Sequence, residues 1–229
     1  MKLKISKLIV AAAAPLLWQN FALAADSPAG QAAPELVFTV DMSENRCLLG
    51  IWLEQPAGEF VETVFVSNKL GQKGLANRGG AIDDKKGGSR ISSLPVWAYH
   101  RGIDYGNGNF NPPKDRPLPD AVSGATPRAG EFTWSYRPET ALPYGKYYYF
   151  VEVNKSFDNN DQHNYSWYRG QPSVIWRGEL ILGEQSSVTA AAIIGHGHPA
   201  GADGSINPDI ATLTSALDLI HAVNVTIIP

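Results

Sequence analysis

Eight short runs rich in Val, Ile, Tyr, Phe, Trp and Thr constrain this chain more than any other feature: ELVFTV, CLLGIWLE, FVETVFVS, PVWAYH, EFTWSY, KYYYFVEV, SVIWRGELIL and SVTAAAII. β-Branched and aromatic side chains suit a pleated, half-buried surface, and the separators, such as QPAGE and LPYGK, carry the glycines and prolines that turns require. No alternation of strands with long helical segments interrupts the series, so an antiparallel β-sandwich is expected rather than a parallel sheet. Within it, IWLEQPAGEFVETVFV reads as a hairpin whose turn holds Pro56 and Gly58. Tyr147, Tyr148 and Tyr149 are expected to alternate between the two faces of one strand.

Ahead of these runs stands MKLKISKLIVAAAAPLLWQNFALAAD. Lys2, Lys4 and Lys7 precede an apolar stretch from Leu8 to Leu17, and Ala22-Leu23-Ala24 has the small-x-small form of a cleavage site, so residues 1–24 read as a secretory signal peptide. The apolar stretch is shorter than the roughly 20 residues a membrane-spanning helix needs. The expectation is a cleaved, exported, periplasmic protein with no membrane insertion after cleavage: a leader over 25–34, then one domain over 35–229. Cleavage leaves 16 Lys+Arg against 22 Asp+Glu, a net charge of −6, which disfavours nucleic acid as a partner. Cys47, the one cysteine, has no partner for an internal disulfide and sits in the apolar run CLLGIW, so a buried thiol is expected.

Two segments depart from the strand pattern. Residues 67–93, SNKLGQKGLANRGGAIDDKKGGSRISS, form a long Gly-rich insertion in which Lys69, Lys73, Arg78, Lys85, Lys86 and Arg90 face only Asp83 and Asp84. A loop of this length is either a plain connection or functional, and its charge suits an anion. From Asp209 to Val223, Ile210, Leu213, Leu217 and Ile220 recur at helical spacing, which predicts a short C-terminal helix before a last strand, NVTIIP.

Metal chemistry has weak candidates. His196 and His198 would share a face if both lay on a strand, with His163, His100 or Asp203 as possible third ligands, but the flanking Gly and Pro favour a loop. ADGSINPD matches a calcium loop poorly, since its spacing lacks the acidic first and third ligands. No G-x-S-x-G elbow supplies an activated serine.

The segment Asp120-Ala121-Val122-Ser123-Gly124-Ala125-Thr126 is the most specific motif in the chain. Thr126 offers a hydroxyl, Gly124 and Ala125 are small enough for close backbone approach, and Pro119 and Pro127 bracket a run expected to be exposed and extended or turned. A turn in which Asp120 and Ser123 bond their own backbone is the competing reading. The run resembles the D-x-x-[ST]-[GA]-A-T pattern of exported redox proteins that carry FMN on a threonine, as in subunits of the sodium-pumping quinone reductase. That resemblance implies that a flavin transferase cleaves FAD and joins FMN phosphate to the hydroxyl of Thr126, with Asp120, Ser123, Gly124 and Ala125 as recognition positions.

Over a larger span, LGIWLEQPAGEFVETVFV, LPVWAYHRG, DAVSGATPRAGEFTW, LPYGKYYYFVEVNKS and PDIATLTSALDLIHAVNVTI resemble a family of predicted periplasmic proteins, domain of unknown function 2271. LPYGKYYYFVEVNKS also resembles the corner that feeds a core strand in immunoglobulin-like domains, so the expected fold is an all-β, immunoglobulin-like antiparallel β-sandwich with a short C-terminal helix. The family resemblance implies a flavin transferase and a membrane reductase-like protein as partners. The functional expectation is a periplasmic electron carrier bearing covalent FMN, more an electron-transfer protein than a catalyst with its own substrate. Trp97, Tyr99, Trp134 and Tyr136 are either core residues or stacking surfaces for the flavin ring. A non-redox periplasmic binding or adapter module of the same fold is the alternative.

Overall fold

The computed structural model describes residues 33–75, 90–106, 108–138, 140–164 and 169–229. The expected signal peptide, most of the leader, and residues 76–89 of the Gly-rich insertion lie outside these residues. Among the described residues, ten strands make two sheets. β1 (Glu35–Met42), β5 (Gly130–Tyr136), β8 (Ser187–Ala190) and β10 (Ile220–Ile228) form a four-stranded sheet in the order β5-β1-β10-β8. β2 (Leu48–Glu54), β3 (Phe60–Ser67), β4 (Ser123–Gly124), β6 (Gly145–Asn154), β7 (Val174–Leu182) and β9 (Ala192–His196) form a six-stranded sheet in the order β4-β3-β2-β6-β7-β9. Every pairing is antiparallel except the two-residue contact of β4 with β3. The fold is an all-β sandwich.

Alternation explains the layering. In β1, Leu36, Phe38, Val40 and Met42 point inward and are buried, while Glu35, Val37, Thr39 and Asp41 are not. They meet Leu49, Ile51 and Leu53 of β2 and Tyr147, Tyr149, Val151 and Val153 of β6 in one core between the sheets. The six-stranded sheet is also covered on its outer face, where Trp52, Val66, Phe150 and Ile175 pack beneath two short helices. That is why every residue of β2 is buried. The tyrosine run alternates as expected: Tyr147 and Tyr149 enter the inter-sheet core, and Tyr148 faces out between Lys146 and Arg177. The Tyr147 hydroxyl donates to the carbonyl of Pro143 at 3.0 Å, which makes the LPYGKY run a structural corner.

Three segments differ from the sequence reading. PVWAYH is a helix, α2 (Pro95–His100; α1 is Asn68–Gly71), and not a strand. Pro95 occupies the first turn, where its missing N–H is harmless, and the freed amides of Val96 and Trp97 donate to the buried Glu152 carboxylate at 3.2 and 2.7 Å. SVTAAAII is two strands, since Ala191 separates β8 and β9, which join different sheets. The helix expected over Asp209–Val223 contracts to one 3-10 turn, Ser215–Asp218. Ile220 and Val223 belong instead to β10, paired along β1, where Val225 and Ile227 continue the inward alternation.

Candidate functional site

The Asp120–Thr126 motif lies on the open edge of the six-stranded sheet. Asp120–Val122 form a 3-10 turn, and Ser123 and Gly124 pair in parallel with Val66 and Ser67 of β3. The Leu118 amide donates to the Gly71 carbonyl at 2.8 Å, and the side-chain amide of Gln72 donates to the Asp120 carboxylate. The motif is therefore docked on the sheet and not a free extended loop. Asp120 and Ala125 are exposed, whereas Val122, Ser123, Gly124 and Thr126 are half-buried. The Asp120 carboxylate is anchored by Gln72, while the Asp120 carbonyl accepts from the Ser123 amide within the turn.

Gly124 is present for space and not for an unusual backbone angle, because its φ is outside the left-handed region. A Cβ there would stand 2.6 Å from Cε2 of Phe65 and 3.2 Å from Cζ3 of Trp134. Trp134 packs edge-on against Phe65 at 4.9 Å between centroids and donates its indole N–H to the Val64 carbonyl. Of the other rings weighed as stacking surfaces, Trp97 and Tyr136 are buried and Tyr99 lies 4.3 Å from Phe110.

Beyond Gly124 the chain leaves the sheet, and Ala125, Thr126 and Pro127 line a groove of about 520 Å³. Asn45 and Arg46 of the β1–β2 turn, Asn68 and Lys69 of α1, Lys73 just after it, and Arg128 complete the lining. Among the described residues it holds four cations and no acid. Glu44, beside Asn45, is engaged by Lys155 at 3.1 Å, and Asp120 by Gln72. Arg46 adopts φ 68, a conformation uncommon outside glycine. The Thr126 hydroxyl has essentially no solvent-accessible surface and, among the described residues, no hydrogen-bond partner. Lys69 and Lys73 belong to the basic insertion recognised in the sequence. Arg46, some eighty positions before Thr126, joins them only through the meeting of the β1–β2 turn with the sheet edge, so linear reading missed it.

The histidines go elsewhere. His196 closes β9 and is buried, with Nδ1 2.7 Å from the Gly197 carbonyl. His198 is past the strand end, and its Nδ1 accepts from the amides of Ala200 and Ala202. His163 lies near His196, and burial followed by that neighbour's charge lowers its pKa. Asp203 accepts from the Ser205 amide and hydroxyl, which lower its pKa. His100, the last residue of α2, sits between Glu54, 2.5 Å away, and the Gly204 carbonyl at 3.1 Å. Among the described residues, no three His, Cys, Asp or Glu side chains converge as a metal site. Cys47 is buried, and desolvation pushes its thiol up to about 11, so it is a poor nucleophile.

No helix among the described residues is long and apolar enough to cross a membrane. No family model matches the sequence, and no curated protein or solved structure matches it.

Proposed function

We propose that the chain is an exported electron carrier bearing FMN as a phosphoester on Thr126, acting with a flavin transferase and a membrane reductase-like protein. The observation that carries this reading is the place of Thr126: the last residue of the motif lines a groove with four cations and, among the described residues, no acid, in a chain whose net charge is −3. In the transfer, the Thr126 oxygen bonds to the FMN phosphorus of FAD, the phosphoanhydride bond breaks, AMP leaves, and the hydroxyl proton passes to a base of the transferase. The phosphodiester so formed keeps one negative charge, which suits the groove. The flavin would supply the redox chemistry, and the protein would supply anchoring and electrostatics. Because the hydroxyl is occluded, Ala125–Pro127 must swing outward to meet the transferase. The two-residue length of β4 limits what that motion disrupts.

Coexpression with an active transferase and export tests the proposal. Mature protein should gain the mass of one FMN less water and keep its yellow colour after denaturation. Thr126→Ala should abolish both. Colourless wild-type protein beside a transferase that labels another acceptor refutes the carrier and leaves the adapter module in its place.

A further inference from the structure

We infer that the groove over Thr126 is a phosphate-binding site of this chain in its own right, able to take the phosphomonoester of free FMN without a transferase. The identity of the ligand rests on the flavin reading; the chemistry rests on the groove. Arg46, Lys69, Lys73 and Arg128 come from three separate segments: the β1–β2 turn, the α1 region and the stretch after β4. None of the four is paired with a carboxylate among the described residues. Three cations outside the groove are matched, Lys146 with Glu179 at 2.5 Å, Arg137 with Glu35 at 2.7 Å and Lys155 with Glu44, while exposed Lys114, Arg116 and Arg177 stand apart and are not gathered round one concavity. Four like charges left unmatched around one concavity repel each other, and an anion bound among them relieves that repulsion. Asn45 and Asn68 add neutral amide donors on the same rim.

The groove's volume is that of a small-molecule site. Arg guanidinium and Lys ammonium groups together suit a phosphate dianion: the first binds two oxygens at once and the second acts as a mobile point charge. Recognition should therefore follow the phosphate and not the flavin ring. A chain that holds FMN phosphate in this way would also keep the flavin's attachment point at the groove once the ester has formed.

The test uses the mature chain without transferase, with FMN, riboflavin and ribose 5-phosphate as probes, read by flavin fluorescence anisotropy. FMN should bind about tenfold or more tighter than riboflavin, ribose 5-phosphate should displace it, and rising salt should weaken it. The double variant Lys73→Glu, Arg128→Glu should lose about tenfold or more, whereas Lys146→Glu, on the far strand β6, should bind as wild type. Circular dichroism confirms that each variant is folded. Equal affinity for FMN and riboflavin, no FMN binding at low salt, or unaltered binding in the folded double variant overturns the inference. The two readings also fail separately. A chain labelled at Thr126 that does not bind free FMN keeps the carrier and loses the phosphate site, and a chain that binds FMN but is never labelled does the reverse.

Discussion

Replacing Glu152 by Gln should change how stability depends on pH. Glu152 is fully buried on β6, and its carboxylate accepts from the Ser173 hydroxyl at 2.6 Å and from the Val96 and Trp97 amides. Desolvation nonetheless pushes its pKa up to about 7; the Ser173, Trp97 and Val96 hydrogen bonds and nearby His100 only partly offset the burial. The folded protein thus holds a proton that the unfolded chain releases near 4.5. With more protons bound in the folded state, the stability Glu152 contributes is present at acid pH and is lost as pH rises towards 7. Between pH 5 and 8 the loss is on the order of 2–3 kcal/mol, from about 1.4 kcal/mol per unit of pKa difference. Gln stays neutral throughout, but its amide N–H₂ faces backbone donors and costs about 1–3 kcal/mol. The wild-type advantage over Glu152→Gln should therefore be largest at pH 5 and shrink by about 2–3 kcal/mol by pH 8, measured by urea unfolding of both proteins. Taking the difference cancels most of the contribution of His100, whose pKa burial would lower but which Glu54 raises overall. A difference constant to within about 0.5 kcal/mol across that range would refute the assignment of a protonated, helix-anchoring Glu152.

Two glycines make further tests. A Cβ on Gly178, which pairs with Tyr149 across β6 and β7, would lie 2.1 Å from the tyrosine ring, so Gly178→Ala should lower the urea midpoint by the equivalent of about 1–3 kcal/mol. Gly124→Val should cost a similar amount by pushing β4 off Phe65, about 1–3 kcal/mol in the same assay; a variant as stable as wild type would show that the motif is not docked.

How far the site could be read in advance differs from residue to residue. Thr126 and its motif are contiguous, so a short pattern was enough to single them out. The docking of the motif was not legible, because it depends on Gln72 reaching Asp120 and on Phe65 and Trp134 closing over Gly124. His196 and His198 look paired in the chain, yet the strand ends between them and their rings take different partners.

The all-β architecture follows from the chain's local chemistry, since alternating Val, Ile, Tyr and Phe between Gly- and Pro-bearing turns leaves few other ways to bury so much apolar surface. The Tyr147–Tyr149 alternation and the buried Cys47 are legible for the same reason: each depends on neighbours in sequence. Short segments whose local preference is divided were settled by long-range contacts. Pro95–His100 is a helix because Glu152, more than fifty residues away, receives its first amides. Ile220 and Val223 enter a strand because β1 offers a ladder of eight paired positions, broken by one register shift at His221; this pairing satisfies backbone groups and outweighs a helical spacing of four apolar side chains. The cationic groove is of this second kind, gathered from separate segments by the packing of a sheet edge against a turn.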